Sequence, residues 1–479
     1  MISLPFGGLP PLDPDGAEPL YRQIYARFRH AIAAGLLESG QRIPSARALA
    51  AELGLARGTI ETAYGLLSAE GYILARGQAG TVVAPDLKAR APVAAEPSAS
   101  APAPTAQSLS LTLESVPGII PPFQMGVPAL DAFPRKIWAR LGARAVRAMQ
   151  AGDMIYPPLA GLPALRTAIA AYLQVARGIA CAPHQVFVTG GYRYTLDLIA
   201  RTLFQTGDRI WVEDPCFPPT LDVLRQGGLQ AHAVPVDADG MNVARGIETA
   251  PRARGVVVTP AHQSPLSVSL SLPRRQALLD WAARESAWIV EDDYDGEYRY
   301  VSRPLPALKS LDRDGRVLYA GTFSKVLFPA LRLAYLVVPQ AEAARFEQVS
   351  RAVTGGSPAL TQETVAAFIE QGHFARHIQR MRKLYGERRQ IAAEALEHVL
   401  QPRARIESQP GGMHLILRLG KGIGDRELAM RLREQGMYAN ALSDWAIESP
   451  VEPGLLLGFT NIATQAEAQR LGRRISALM

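Results

Sequence analysis

The stretch Leu318-Tyr-Ala-Gly-Thr-Phe-Ser-Lys-Val-Leu-Phe-Pro-Ala-Leu-Arg332 decides how the larger part of this chain is read. Its first residues continue a short apolar run, Arg316–Ala320, which predicts a buried strand. Thr322 and Ser324 then precede Lys325, and Arg332 follows seven positions later. A lysine among apolar neighbours loses solvation of its ammonium form, so its free amine becomes available to attack an aldehyde and form a Schiff base. Hydroxyls and an arginine alongside suit a phosphate dianion. Pyridoxal phosphate is an aldehyde that carries a phosphate. Taken alone, the same residues also fit a solvated loop.

Composition bounds the rest. With 479 residues and a hydrophobic fraction of 48%, the chain has material for two to four domains with sizeable cores. Two cysteines, Cys181 and Cys216, cannot build a disulfide framework, and no metal-ligand spacing occurs. The reading is a reducing, cytoplasmic protein. The N-terminus lacks a basic region followed by an apolar core, and no run of about 18 apolar residues occurs, so neither a signal peptide nor a membrane span is expected. A net charge of +7 and a pI of about 9.4 are compatible with nucleic acid, and equally with an arginine-rich enzyme.

Upstream, residues 18–84 predict helix, helix, tight turn, helix and hairpin. Leu20, Ile24, Phe28, Ala31 and Ile32 recur at helical spacing within Glu18–Gly35. Ser45 is placed to cap a second helix that ends at Gly54. A third helix spans Arg57–Glu70. Extended runs Tyr72–Arg76 and Thr81–Ala84 flank Gly77-Gln78-Ala79-Gly80, a hairpin signal. That order is a winged helix-turn-helix, whose third helix enters the major groove while the hairpin reaches the backbone. Arg57, Thr59, Glu61 and Thr62 form the third helix's polar face, and arginine and threonine suit base edges or phosphates. Residues 20–84 hold seven arginines and four glutamates, a net of +3.

The segments Glu18-Pro-Leu-Tyr-Arg-Gln-Ile24, Ile43-Pro-Ser-Ala-Arg-Ala-Leu-Ala50, Ala63-Tyr64 and Glu70-Gly-Tyr72 resemble the DNA-binding domain of the GntR regulators over about 65 residues. The resemblance implies that Arg47, Arg57 and Thr59 contact DNA; the polar face of the third helix adds Thr62, and the hairpin closed by Gly80 adds a reach to the backbone. Ala56 stands where the family has a serine.

Residues 85–120 are rich in Pro, Ala and Ser and predict a flexible or polyproline-like linker. Beyond it, from 121 to 479, helical patterns alternate with short apolar strands. The strands are Val186–Thr189, Arg209–Glu213, Gln230–Val234, Gly255–Thr259, Ala287–Glu291 and Arg316–Ala320. This predicts an α/β domain with a mostly parallel sheet, in which ligands gather where strands end.

The unusual residues follow strands. Gly190-Gly191-Tyr192 opens a helix and offers backbone N–H groups to an anion. Phe217 could stack on a planar ring or sit in a core. His262 or Gln263 could donate to a phenolate oxygen. Asp292 at a buried strand end can hold a protonated pyridine nitrogen, and Tyr294 can bond a ring hydroxyl. Four carboxylates within Asp292–Glu297 also read as a divalent-metal site, which Lys325 downstream argues against.

Together these motifs resemble the fold type I aminotransferases. With the N-terminal segment, the chain resembles the MocR subfamily of GntR regulators. The shared motifs are Val-Thr-Gly-Gly at 188–191, Glu-Asp-Pro-x-Phe at 213–217, Thr-Pro-x-His-Gln at 259–263, Glu-Asp-Asp-Tyr-Asp-Gly-Glu at 291–297 and Gly-Thr-Phe-Ser-Lys at 321–325. The resemblance implies pyridoxal 5′-phosphate on Lys325, with Asp292 at the ring nitrogen and Tyr294 at the ring hydroxyl. Phe217 would lie on the ring and Ser324, Arg332, Gly191 and Tyr192 at the phosphate. Tyr156 would reach the phosphate of a neighbouring subunit in a homodimer. A Gly-Phe-x-Arg carboxylate clamp reads Gly458-Phe-Thr-Asn461 here, so an amino acid's usual partner is absent. A regulator that senses an amine, an amino compound or the cofactor is the leading expectation. An active aminotransferase with a DNA-binding appendage, and a DNA-binding protein with a vestigial second domain, are the rivals.

Overall fold

In the computed structural model, residues 12–77, 80–85, 118–300, 306–353, 356–407 and 411–479 are described. The linker expected at 85–120 falls mostly outside them, as do Gln78 and Ala79 at the hairpin tip. The chain divides into two compact units, within Met1–Thr105 and Ala106–Met479.

The first unit contains α1 (Leu20–Ala33), β1 (Arg42–Ile43), α2 (Ala46–Leu53), α3 (Arg57–Ala69), β2 (Ile73–Ala75) and β3 (Thr81–Val83). One face of each helix, including Ile24, Phe28, Leu49, Ile60, Ala63 and Leu67, fills a single core. Ser45 caps α2 as its position suggests: its Oγ accepts the Ala48 N–H at 3.2 Å. Ser45→Ala should cost about 1 kcal/mol. The loss is expected in the melting of this unit, followed by circular dichroism. The hairpin β2–β3 gains a third strand that the sequence reading lacked, because β1 pairs antiparallel with β3. Two residues are too few to carry a strand pattern of their own.

In the second unit an eight-stranded sheet runs in the order β4-β11-β10-β9-β8-β5-β6-β7. The strands are β4 (Val186–Thr189), β5 (Arg209–Asp214), β6 (Gln230–Asp237), β7 (Gly240–Met241), β8 (Gly255–Val258), β9 (Trp288–Asp293), β10 (Val317–Thr322) and β11 (Ala334–Val337). The six expected strands are present, and those from β10 through β9, β8 and β5 to β6 pair in parallel. The unexpected β11 lies antiparallel between β10 and β4. Its four residues, Ala-Tyr-Leu-Val, are all buried. Helices cover the sheet, so most of its strands are apolar throughout.

A second, antiparallel sheet of β12 (Ala404–Glu407), β13 (His414–Leu419), β14 (Asn440–Ala441) and β15 (Gly454–Gly458) makes the smaller C-terminal part. The helix His373–Leu400 joins the two parts. Phe374 and Ile378 at its start pack into the core that includes β4 and β11, and Tyr385, Leu396 and Leu400 pack with the C-terminal sheet. Among the described residues, no helix is long and apolar enough to cross a membrane.

Candidate functional site

The loops after β4, β5, β9 and β10 converge on a cavity of about 250 Å³. This is where a parallel sheet exposes its strand ends. Gly191, Tyr192, Phe217, Asp292, Tyr294, Ser324, Lys325 and Arg332 all line it.

Lys325 is placed by its own turn. The flanking Phe323, Val326 and Leu327 are buried, and Leu327 N–H donates to Phe323 O at 2.7 Å. This anchors the turn on both sides of the lysine. Burial lowers the Lys325 proton affinity, opposed by Asp295 and Asp292. Its Nζ donates to Gly126 O at 3.1 Å. A side chain on Gly126, whose φ is +69°, would collide with that nitrogen.

Alternation along β9 separates its carboxylates. Asp292 faces the cavity, and burial, followed by Asp293, Glu213 and Asp295, raises its pKa well above the usual range. Glu291 instead accepts from Leu308 N–H and Lys309 N–H at 2.8 and 2.7 Å, and burial lifts it to about 7. Asp293 meets Arg177 at 2.9 Å and accepts from Tyr319 Oη at 2.6 Å. Glu297 lies 3.1 Å from Arg177, and Asp295 lies 3.1 Å from His262. The carboxylates between 292 and 297 thus diverge. Among the described residues, no group of three or more metal-ligating side chains is gathered.

Gly191 has φ of +121° and starts the helix Tyr192–Leu203. The Arg332 guanidinium lies 3.4 Å from where a Gly191 Cβ would stand. A helix N-terminus, a glycine without a side chain and a guanidinium form a cradle for an anion. Thr322 and Ser324 complete the wall. Tyr192 is turned away from that role: its Oη bonds Thr220 Oγ1 at 2.8 Å. Arg193 also lines the cavity, 3.6 Å from Asp222.

Three expected residues lie elsewhere. His262 is not in the cavity wall; its Nδ1 is 2.9 Å from Tyr294 Oη, behind the wall. Gln263 is buried and donates to Pro215 O at 2.8 Å, a structural bond. Tyr156 is 93% exposed and is absent from the wall of this single chain.

The rest of the wall comes from places the sequence reading did not assign to the site. Gln124, Met125 and Gly126 enter from the start of the unit, and Met413, His414, Arg433, Tyr438, Asn440 and Trp445 come from the C-terminal part. Trp445 packs on Phe217 with ring centroids 5.5 Å apart. Asp214 fastens that loop by accepting the N–H groups of Ile447, Glu448 and Ser449 at 2.6–2.9 Å. Asn461 stays out of the cavity wall, its amide donating to Pro128 O at 3.1 Å and Val127 O at 3.3 Å.

In the first unit, Arg47, Arg57 and Thr62 are exposed and Thr59 is half-buried. Arg57 pairs with Glu61 at 2.7 Å. Thr62 Oγ1 donates to Gly58 O at 2.8 Å. At Gly80 the guanidinium of Arg42 lies against the hairpin turn, a cation that the sequence reading passed over.

Residues 20–83 match the family described as bacterial regulatory proteins, gntR family, and residues 127–450 match aminotransferase class I and II. The chain is 38% identical to the probable rhizopine catabolism regulatory protein MocR of Rhizobium meliloti, across 98% of this chain and 95% of that one. The chain belongs to the MocR-type GntR regulators. Another relative of this MocR-type chain is the pyridoxine biosynthesis transcriptional regulator PdxR of Corynebacterium glutamicum. It is 33% identical, over 94% of this chain and 93% of that protein. Among solved structures, Pyrococcus horikoshii kynurenine aminotransferase, captured with PMP, aligns with a TM-score of 0.66 and 26% identity. The alignment covers 74% of this chain and 90% of that one. The MocR-type chain therefore joins a GntR winged helix-turn-helix, a DNA-binding domain, to an aminotransferase fold.

Proposed function

We propose that this protein is a transcription regulator that holds pyridoxal 5′-phosphate at Lys325 and responds to an amine, an amino compound or the cofactor itself. The observation that carries this reading is the shared cavity of Lys325, Asp292, Gly191 and Arg332. It offers a buried amine, a buried carboxyl and an anion cradle to one small molecule. These residues fit the cofactor.

When bound, pyridoxal phosphate supplies an aldehyde that condenses reversibly with a primary amine. Burial keeps a share of Lys325 neutral and nucleophilic. Asp292 would hold the N–H of the ring nitrogen. Arg332, Ser324 and the backbone at Gly191 and Tyr192 would hold the phosphate. Tyr294, backed by His262, would serve the ring hydroxyl, and Phe217 would lie on the ring. Tyr156, being exposed, is free to serve a neighbouring subunit in a homodimer.

Sensing has a physical route within the second unit. A free Lys325 bonds Gly126, and the adjoining Phe123 accepts the Gly458 N–H of β15 at 2.9 Å. The state of the lysine nitrogen therefore bears on the segment that follows the linker and on its tie to the C-terminal sheet. A ligand with unequal affinity for the two states shifts their populations, and DNA affinity follows.

Purified, cytoplasmically expressed protein incubated with pyridoxal phosphate should gain an imine absorbance band. Borohydride should fix the label at Lys325. Absence of both signals would mean that the cofactor reading is wrong. DNA affinity that never changed across amines and cofactor would remove the sensing role.

At the DNA, Arg47, Arg57, Thr59 and Thr62 would make contacts, with the Gly80 hairpin at the backbone. Arg57→Ala should weaken binding to the preferred duplex by about tenfold or more. Arg47→Ala should instead weaken all duplexes and lower the salt slope by about one. Anisotropy titrations at several salt concentrations separate the two.

The likeness to an aminotransferase captured with PMP favours one further reading, an active enzyme with a DNA-binding appendage. Turnover that releases free pyridoxamine phosphate would support it.

A further inference from the structure

Behind the main cavity lies a second, of about 20 Å³, with His262, Asp295 and Arg177 in its wall. It is large enough for a single water. Asp295 borders both cavities. It is 1% exposed, and among the described residues neither of its carboxylate oxygens has a hydrogen-bond donor. His262 Nδ1 lies 3.1 Å from it and also 2.9 Å from Tyr294 Oη. One ring nitrogen cannot donate fully to both. The other, Nε2, is buried with no hydrogen-bond partner among the described residues.

A buried carboxylate so poorly bonded is costly unless a cation faces it. Several groups surround Asp295. Lys325, Asp292 and Tyr294 share the main cavity with it. His262, Arg177, Glu291, Asp293 and Arg299 share the small one. His414 and Tyr300 also feel its charge. Arg177 already faces Asp293 and Glu297. His414 is pushed down to about 4 by burial and is neutral. Arg193, Arg332 and Arg433 also line the main cavity. Asp295 favours the charged form of Lys325, ahead of Asp292. Of the two carboxyls that favour its charged form, Asp292 is itself driven toward the acid by burial. Asp292 would also be engaged by a ring N–H.

We infer that Asp295, held by His262, is a second anionic partner of the Lys325 nitrogen, distinct from Asp292, and decides which protonation state of that nitrogen the site stabilises. It acts through position and charge, as a positioning residue. The inference rests on the reading of Lys325 as the imine-forming lysine.

The test compares wild type with Asp295→Asn, which keeps the shape and removes the charge, and Asp295→Glu, which restores charge. Asp295→Ala replaces the asparagine variant if that one fails to accumulate. Two measurements are read. In cofactor-free protein, the pH dependence of Lys325 acylation by acetic anhydride is followed by mass spectrometry. In protein loaded with pyridoxal phosphate, the midpoint of the imine's absorbance change with pH is recorded. Losing the anion weakens the nitrogen's hold on its proton, so both midpoints should fall by about one pH unit in Asp295→Asn, tenfold in proton affinity. Asp295→Glu should recover most of that shift. Midpoints within about 0.2 unit of wild type in Asp295→Asn would overturn the inference. If wild type shows no imine band, the cofactor reading falls, and the acylation profile still decides the role of Asp295.

Discussion

Lys325→Ala should abolish both the imine absorbance and the borohydride label, and with them any response of DNA binding to amines, while the fold persists. Six lysines occur in the sequence, and among the described residues Lys325 is the one that lines the cavity. Among the described residues, no other lysine lines the cavity to take over. The fold should survive because the side chain has one hydrogen bond, to Gly126 O at 3.1 Å, and its ammonium form is penalised by burial. Truncation removes a desolvated charge together with its weak tie, and these effects oppose each other. Residual noncovalent binding of the cofactor is expected through Arg332 and the Gly191 turn. The measurements are absorbance, intact mass after reduction, and the thermal midpoint. A label that persists elsewhere in the variant would mean that the imine forms on a different lysine.

Arg177→Met should destabilise the second unit by about 3–5 kcal/mol, the cost of stranding buried carboxylates. Arg177 is buried and sits between Asp293 at 2.9 Å and Glu297 at 3.1 Å, and donates to Gly296 O at 3.0 Å. Tyr319 and Tyr172 donate to the same carboxylates at 2.6 and 2.9 Å. Two hydroxyls cannot neutralise two charges. The sign with pH follows from Glu297, whose pKa burial already raises and Arg177 holds down. Without the guanidinium it rises further. A raised carboxyl favours the folded state at low pH and loses that contribution as pH climbs through its folded value. The deficit of the variant should therefore be smaller in mildly acidic buffer than in mildly alkaline buffer. All five tryptophans lie beyond residue 118, so urea unfolding followed by tryptophan fluorescence reports on this unit. An equal deficit across pH would assign the loss to packing. Because Asp293 adjoins Asp292 on β9, weakened cofactor retention should accompany the loss.

The sequence by itself determined the elements and the chemistry carried next to them. Ser45 before an apolar helix is a cap wherever that helix lies. The helical spacing of Leu20 to Ile32, the glycines before Tyr192, Asp292 at the end of an apolar run and Lys325 after another are all local signals. Their order along the chain implied a parallel sheet with its reactive residues at one edge, and those residues do share a cavity.

Only the tertiary structure decided what closes that cavity and what stands behind it. The two-residue β1 and the antiparallel β11 exist through their partners, since pairing across long sequence separations leaves little local pattern. Gly126 meets Lys325 across 199 positions, and Asp214 holds the Trp445 loop across more than 230. Trp445, Tyr438 and Arg433 reach the cavity wall only through the fold of the C-terminal part. Neighbouring carboxylates at 292, 293 and 295 look alike in sequence. They acquire different partners because a strand turns successive side chains to opposite faces, and because Arg177 and His262 arrive from elsewhere in the chain.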